Sequence, residues 1–363
     1  MPVTITAARS FLVDIPVEMP RTDARQAFLK QETIFVEVTT SDGESGLGYS
    51  YTIGTGGTAV RALLDDYLLP HLVGRDADAV ESCWQLLQGA TLATAGGAIT
   101  SLALAAVDTA LWDRRCRVAG LPLAIMAGGA KERIPLYNTE IGWLHYTVED
   151  LVAGAEKAVA GGDRGVKIKI GKPSAAEDAE RLQAVREAIG PHRDLMVDAN
   201  QSFTLAEAVR RAPDLEAAGV LWFEEPLPAQ DVLGHERLAR STTVPVAVGE
   251  SIYSIGHFAQ YLARGAAGLV QPDVARIGGI TPWLKVAHLA EAHGVEVAPH
   301  FLMELHVGLC GAISNSRYLE YLPQLRAVTT NELVVVDGEG IVPTTPGLGI
   351  DWDHEALDRL RVR

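Results

Sequence analysis

The sequence contains very little cysteine. Cys83, Cys116 and Cys310 are the only three in 363 residues, and they are scattered, odd in number and without the short spacings of a metal site. This pattern does not suit a disulfide scaffold, and it is typical of a reduced cytoplasmic protein.

Positive charge and long apolar runs are also scarce. The chain has 31 Lys and Arg against 46 Asp and Glu, a net charge of −15, and no basic tract. Nucleic acid and membrane are therefore not expected as partners. We find no signal-peptide core at the amino terminus and no apolar run of about 18 residues. A cytoplasmic globular protein acting on a small molecule is expected. That molecule could be an anion, because a few cationic side chains in a pocket would suffice to bind it.

Hydrophobic residues make up 48% of the chain, enough for one large and one smaller domain. Residues 1–125 have two β-like runs (3–15 and 32–52) around a polar, mobile-looking segment, and helical patterns then follow at about 58–73, 78–88 and 97–118. Strands followed by helices predict an α+β domain.

From residue 126 to about 330 the chain repeats a strand–loop–helix unit. The eight predicted strands are IPLYNT, GVKIKIG, DLMVDAN, VLWFEEP, VPVAVGE, AGLVQPD, VEVAPH and RYLEYL. This number favours an α/β fold of the (β/α)-barrel type. A doubly wound open sheet is the alternative, but its usual glycine-rich phosphate turn is absent. Residues 331–363 return to β-like character, and we expect them to pack back on the first domain.

The predicted strand GVKIKIG (165–171) carries two lysines on one face. Side chains alternate along a strand, so Lys167 and Lys169 point to the same side. Parallel sheets are covered on both faces, so two ammonium groups there require a special environment. A salt bridge lining the barrel is one explanation and a functional site is another.

Each later strand ends in an ionisable residue, about one strand–helix unit after the last. Because the carboxyl ends of barrel strands meet at one mouth, where barrel enzymes keep their chemistry, these groups should converge. They are Lys169, Asp198, Glu224, Glu250, Asp273, His300 and Glu320.

Three of these groups, Asp198, Glu224 and Glu250, follow consecutive strands and would repel one another without a cation. Ligation by oxygen alone favours a hard ion, Mg²⁺ first and Mn²⁺ second. Helix caps or ion pairs with the two lysines are the alternative. Glu225 has the opposite parity to Glu224, and we leave it out of the predicted site.

Groups suited to proton transfer flank this predicted metal. Lys169 would act as a base if Lys167 and the metal lowered its pKa, and His300 would be oriented by Asp273, although a buried structural histidine is the alternative. Such a site suits removal of a proton next to a carboxylate, with the metal stabilising an enediolate. Glu320, if protonated, would donate a hydrogen bond to the substrate.

The chain resembles the enolase superfamily, mandelate racemase subgroup, in several ordered motifs. These are GVKIKIG, VDANQ (197–201), WFEEP (222–226), GE (249–250), QPDVARIGGIT (271–281) and PHFLMELH (299–306). The resemblance implies a modified (β/α)7β barrel with an amino-terminal capping domain. It also implies Lys169 as base with Lys167 beside it, a metal on the three carboxylates, an Asp273–His300 dyad, an electrophilic Glu320 and substrate contact by Asn200.

Within the subgroup, PHFLMELH and YNTEIGWLH (137–145) are most similar to acid-sugar dehydratases of the talarate/galactarate type. Substrate-binding candidates for a polyhydroxylated acid are Tyr49, Tyr51, Thr52 and His145. The segment GTGGT (54–58) is interpreted as a mobile lid or as a plain turn.

The leading hypothesis is a Mg²⁺-dependent dehydratase that converts an aldonate or aldarate to a 2-keto-3-deoxy acid. The alternative enzyme is a racemase or epimerase of a 2-hydroxy acid, because the same residues would support both reactions. A sugar-acid binder without activity is a third possibility. Relatives also suggest a homo-oligomer.

Overall fold

The computed structural model describes residues 2–94 and 96–362. Its amino-terminal strands are β1 (Ile5–Ile15), β2 (Arg21–Thr22), β3 (Ala27–Phe28), β4 (Gln31–Thr40) and β5 (Ser45–Thr52). The antiparallel sheet has the order β1-β4-β5, and a turn at residues 41–44 joins β4 to β5. Both predicted β-like runs are therefore strands of one sheet.

Helices lie at the three predicted positions, and a short further helix at 123–126 was not predicted. They are α1 (Gly57–Leu63), α2 (Leu69–Leu72), α3 (Val80–Ala90), α4 (Ala98–Ala119) and α5 (Leu123–Met126), with a π-helical turn from Leu64 to Leu68 between α1 and α2. Helix α4 is buried on almost every side because it lies between the sheet and the barrel. On its barrel side, Trp112 Nε1 donates to Thr281 Oγ1 at 2.9 Å. Among the described residues, no helix is long and apolar enough to cross a membrane.

Two glycines allow β5 to lie directly against α4. A methyl group at Gly48 would lie 2.1 Å from the backbone nitrogen of Ala110, and one at Gly46 would lie 2.1 Å from the Ala110 carbonyl oxygen. Neither backbone can move without separating the sheet from its main helix. These contacts explain why small residues alternate at this end of β5.

We expect Gly48→Ala to lower the free energy of unfolding by at least about 2 kcal/mol, since overpacking against a rigid backbone costs roughly 1–3 kcal/mol. Gly89→Ala is the matched control, because Gly89 is in α3 and has open space around its Cα. This control should raise stability by about 0.5–1 kcal/mol. Urea unfolding midpoints measure both, and an unchanged midpoint for Gly48→Ala would contradict the packing.

The polar segment before β4 contains two short strands, and its mobility stays a prediction. Strands β2 and β3 form a hairpin in which Arg21 pairs with Phe28 and Thr22 pairs with Ala27. The Thr22 carbonyl accepts from the Leu144 amide at 3.0 Å, so the hairpin is tied to the loop after the first barrel strand. The hairpin therefore covers part of the barrel mouth.

The eight predicted barrel strands are all present. They are β6 (Arg133–Asn138), β7 (Gly165–Lys169), β8 (Asp194–Asp198), β9 (Val220–Glu224), β10 (Val246–Val248), β11 (Leu269–Val270), β12 (Glu296–Val297) and β13 (Leu319–Tyr321). Strands β6 to β12 pair in sequence order, all parallel, and β13 pairs with β6. A bridge between Val297 and Ser316 completes the ring.

Seven helices connect these eight strands, so the barrel is of the (β/α)7β type. The helices are α6 (Val148–Ala160), α7 (Ala175–Ile189), α8 (Leu205–Ala217), α9 (Val232–Ala239), α10 (Ile255–Arg264), α11 (Ile280–Ala292) and α12 (Met303–Ala312). Side-chain caps begin several of them, among them Thr147 on α6 and Ser254 on α10.

The carboxyl-terminal segment divides between the barrel and the capping domain. Strands β14 (Val335–Val336) and β15 (Glu339–Ile341) form a hairpin that pairs with residues 133–135 of β6, which extend beyond the register of β13. The later part, including α13 (His354–Leu360), contacts the first sheet, where the Val362 amide donates to the Leu12 carbonyl. The expectation that the whole segment packs on the first domain is therefore wrong for the hairpin, because β6 offered free backbone groups there.

Candidate functional site

The structure brings the ionisable residues predicted at the strand ends together at the carboxyl-terminal mouth of the barrel. Lys169, Asp198 and Glu224 are the last residues of their strands, and Glu320 lies within β13. Glu250, Asp273 and His300 follow their strands by two or three residues. Since parallel strands end at one edge, sequence positions far apart meet here.

The three carboxylates Asp198, Glu224 and Glu250 form one cluster. A ligand oxygen of each lies within 4.8 Å of the others, and the residues are 0%, 0% and 8% exposed. Burial raises the pKa of Glu224 to about 7, and the charge of Asp198 adds to this effect. Such a crowded set of oxygen ligands fits a hard divalent cation.

The two lysines provide part of the compensating charge. Lys167 Nζ lies 2.9 Å from Glu224 Oε1 and 2.9 Å from Glu320 Oε1, and Lys169 Nζ donates to Asp198 Oδ2. Burial lowers the pKa of Lys169, but the charges of Asp198, Glu250 and Glu224 together raise it above the ordinary value. The lowering expected when a metal neutralises these carboxylates stays a prediction.

His300 and Asp273 form the predicted pair. His300 Nδ1 and Asp273 Oδ2 are 2.9 Å apart, and His300 Nε2 lies 3.2 Å from Glu250 Oε2. Burial alone would lower the pKa of His300, but the two carboxylates raise it. Burial would raise the pKa of Asp273, yet hydrogen bonding and charge from His300 and the nearby Arg276 lower it to about 2. The pair is thus an imidazole oriented by an ionised carboxylate.

Glu320 accepts hydrogen bonds on both of its oxygens. Thr139 Oγ1 donates to Oε1 at 2.7 Å, and the Phe301 amide donates to Oε2 at 2.8 Å. Burial would raise its pKa, but Lys167 and His300 lower it well below the ordinary range. In this arrangement Glu320 is an ionised acceptor, and its donation of a hydrogen bond to a substrate when protonated stays a prediction.

Two adjoining cavities lie between the barrel mouth and the capping domain. The larger has a volume of about 290 Å³. It is bordered by the β2–β3 hairpin, called here the cap hairpin, and by the barrel mouth; its lining includes Asp23, Arg25, Asn200, Ser251, Tyr253 and Arg276. The smaller, of about 50 Å³, reaches Lys169, His300 and Glu320. Both cavities share Asp23, Asn200 and Glu250, so they adjoin at these residues.

The four substrate-binding candidates from the capping domain and the first barrel loop have different surroundings. Tyr51 is buried and its hydroxyl donates to Asp273 Oδ2 at 2.6 Å, while Thr52 borders the larger cavity and donates to Glu32 Oε2 at 2.6 Å. Tyr49 stacks edge-on against Trp352, with ring centroids 5.3 Å apart, away from both cavities.

His145 does not reach the site. It is exposed, its ring packs against Tyr146, and its Nδ1 lies 2.7 Å from Thr22 Oγ1 on the outer side of the cap hairpin. It borders neither cavity. The loop after β6 instead presents Trp143 to the smaller cavity, two residues earlier in the chain. The structure therefore gives no support to substrate binding by His145, which stays a prediction.

Asn200 reaches the site as predicted. Its backbone N–H donates to Asp198 Oδ1 at 2.8 Å, and its side-chain Oδ1 is buried without a hydrogen-bond partner among the described residues. Asn200 adopts a positive φ of 42°, which asparagine tolerates better than most residues. A ligand hydroxyl would satisfy the free oxygen.

Sequence reasoning missed several groups that border the cavities. Glu225 is 1% exposed, has a φ of 38° and accepts from the Ser251 amide at 3.2 Å. The parity argument failed there because β9 ends at Glu224, so strand alternation no longer applies. Arg276 lies within the motif QPDVARIGGIT and donates to the Glu250 carbonyl at 3.0 Å. Arg21 and Asp23 are on the cap hairpin, and no sequence motif marked them as site residues.

The lid candidate GTGGT also lies at this edge. Thr55 borders the larger cavity, Gly54 and Gly56 have φ of 90° and 98°, and Gly57 begins α1. These conformations favour glycine, so the composition is explained by the turn itself. Its role as a lid stays a prediction.

A capped (β/α)7β barrel with this set of lysines, carboxylates and a histidine at its mouth has the architecture of the enolase superfamily. The chain belongs to the mandelate racemase and muconate lactonizing enzyme family. The family model for the amino-terminal domain matches residues 5–128, and the model described as enolase C-terminal domain-like matches residues 150–356.

Characterised relatives cover nearly the whole chain. It is 35% identical to L-talarate/galactarate dehydratase of Salmonella typhimurium LT2, over 95% of this chain and 88% of that protein. It is 36% identical to 3,6-anhydro-alpha-L-galactonate cycloisomerase of Streptomyces coelicolor, over 99% of each. A crystal structure of the Salmonella dehydratase with Mg and L-lyxarohydroxamate superposes with a TM-score of 0.95 at 32% identity, covering 100% of this chain and 94% of that one.

Proposed function

We propose that this protein is a Mg²⁺-dependent dehydratase of a sugar acid. The observation that carries the proposal is the convergence of an oxygen-only ligand cluster with Lys169 and the His300–Asp273 pair around one cavity. The similarity to a talarate/galactarate dehydratase supports an acid-sugar substrate. The racemase alternative has less support from these relatives.

In the proposed reaction, a base removes the proton from carbon 2 of the substrate. Lys169 is the base for a substrate that presents this proton to its face, and His300 is the base for the opposite configuration. The hydroxyl on carbon 3 leaves as water after taking a proton from His300. The resulting enol becomes a ketone as carbon 3 takes a proton, which gives a 2-keto-3-deoxy acid.

Several residues at the barrel mouth would stabilise the negative charge that develops on the substrate carboxylate. Asp198, Glu224 and Glu250 would hold the cation. When bound, Mg²⁺ would offset the charge of these carboxylates and of the substrate carboxylate as it becomes an enediolate. Lys167 is placed to stabilise the same charge, and Thr139 with the Phe301 amide keeps Glu320 in position. Asn200 would bind a substrate hydroxyl through its free oxygen.

Removal of the metal tests this proposal. Incubation with a chelator should abolish formation of 2-keto acid from the active sugar acid, because the three carboxylates then lack the cation that offsets their charge. Addition of Mg²⁺ should restore the rate, with Mn²⁺ a weaker or equal substitute. The assay is a screen of mono- and diacid sugars for 2-keto product. Activity that persists after exhaustive chelation would contradict the proposal.

A second candidate activity is elimination of a ring oxygen instead of a hydroxyl. The Streptomyces relative, matched over 99% of both chains, is a cycloisomerase of an anhydro sugar acid. Proton removal at carbon 2 followed by cleavage of the carbon 3–oxygen bond would use the same residues. Including anhydro acids in the screen separates the two activities. A cytoplasmic location and assembly into a homo-oligomer also stay proposals.

A further inference from the structure

The turn after His300 adopts an unusual backbone conformation. Phe301 and Leu302, both large residues, have φ of 61° and 36°, a region that side chains other than glycine, asparagine and aspartate rarely occupy. Strain of this kind persists only where neighbouring groups hold it, and it clusters at functional sites. The turn begins directly after the histidine of the proposed proton-transfer pair.

A buried histidine on α12 holds this turn. His306 is 0% exposed, and its Nδ1 lies 2.8 Å from the Phe301 carbonyl oxygen. Its other nitrogen, Nε2, accepts from the Val274 amide at 3.1 Å. One imidazole ring therefore joins the residue after His300 to the residue after Asp273.

Both contacts require one neutral tautomer of His306. Nε2 must be unprotonated to accept from Val274, so Nδ1 carries the proton and donates to the Phe301 carbonyl. Burial lowers the pKa of His306 to about 4, which agrees with a neutral ring. Neither nitrogen is free to exchange protons with a substrate, and His306 borders neither cavity at the mouth.

By holding the Phe301 backbone, His306 also positions the aromatic ring that contacts His300. The Phe301 ring stacks on the His300 imidazole, with centroids 5.3 Å apart and planes 15° apart, and it packs on Tyr51 at 4.7 Å. Movement of the Phe301 backbone would therefore shift the histidine directly. A displacement of about 1 Å in a catalytic group commonly costs on the order of 100-fold in rate.

We propose that His306 is a positioning residue that sets the geometry of the His300–Asp273 pair through the two backbone segments it joins. This inference rests on the proposed function, because its effect is read in the rate of the elimination. His306, the second histidine of PHFLMELH, would then have a role in catalysis as well as in packing.

The test is a double-mutant cycle with His300, measured on the sugar acid that the screen identifies. His306→Leu removes both contacts, and we expect it to lower kcat for elimination by about 30- to 100-fold while KM changes less than about threefold. In a His300→Asn background, adding His306→Leu should change the remaining rate less than about threefold, because the main loss in His306→Leu comes from misplacing His300.

Two further variants separate this role from general stability. His235 on α9 is also fully buried, and its ring contacts the Tyr261 hydroxyl on α10. His235→Leu is therefore a control for loss of a buried imidazole, and it should change kcat less than about threefold. His306→Asn keeps a donor near the Phe301 carbonyl and loses the acceptor facing Val274. It should lose less activity than His306→Leu, and it replaces that variant in the cycle if His306→Leu does not fold.

Three results would overturn the inference: an unchanged kcat in His306→Leu or its Asn substitute, a loss matched by His235→Leu, or an equal loss with and without His300. Failure of the proposed function would look different. In that case the unmodified, Mg²⁺-loaded protein would produce no 2-keto acid from any substrate in the screen.

Discussion

Replacing Glu224 with glutamine should remove most of the affinity for Mg²⁺ and nearly all activity while the protein remains folded. Glu224 is fully buried within the carboxylate cluster, and its neighbours Asp198 and Glu250 cannot replace the lost charge. Changes in the groups that merely support a metal ligand already cost about 10- to 100-fold in affinity, so we expect at least about 100-fold here. Titration calorimetry with Mg²⁺ measures the loss.

The matched control for this variant is Glu296→Gln. Glu296 is an exposed glutamate at the start of β12, at the opposite end of the barrel from the cluster, where it pairs with Arg317 on the surface. Its replacement should leave Mg²⁺ affinity unchanged. If Glu224→Gln bound Mg²⁺ as tightly as the unmodified protein, Glu224 would no longer belong to the ligand set.

Substitution of His300 should stop elimination but spare one partial reaction. In His300→Asn the acid that expels the hydroxyl is missing, and general acid–base catalysis contributes about 10²- to 10⁴-fold, so the rate should fall by more than about 100-fold. Lys169 is still present and buried at the cavity. For a substrate that faces Lys169, incubation in heavy water should exchange the carbon 2 proton without giving product.

The companion variant Lys169→Met should support neither exchange nor elimination with that substrate. For a substrate whose proton faces His300, the histidine is both base and acid, and His300→Asn should lose exchange as well. Proton NMR of the substrate follows exchange, and a 2-keto acid assay follows elimination. Full elimination by His300→Asn with either type of substrate would remove the pair from the mechanism.

The barrel was predictable because its signal repeats. Each strand is a short apolar run that ends in an ionisable residue, and parallel strands bring such ends to one edge. For this reason Asp198, Glu224 and Glu250, which follow three consecutive strands, were expected to be neighbours, and the structure places them together. Periodicity also predicted α4, the long buried helix of the capping domain.

The rest of the site depends on contacts that no local pattern records. The hairpin carrying Arg21 and Asp23 has strands of only two residues each, too short to show alternation, and it reaches the barrel by folding of the whole capping domain. Protonation states were also inaccessible, because the pKa of Lys169 depends on which carboxylate lies closest. Polar residue type alone could not decide between His145, which faces outward, and Trp143, which faces the cavity.

The central claim is that this chain removes the proton next to a carboxylate and then eliminates the neighbouring oxygen. The most direct measurement is proton NMR of the unmodified, Mg²⁺-saturated protein in heavy water with a panel of aldonates, aldarates and anhydro acids. We predict loss of the carbon 2 proton signal from at least one acid and formation of a 2-keto-3-deoxy acid that carries one deuterium at carbon 3. Retention of every carbon 2 proton, with no keto product from the panel, would contradict the account.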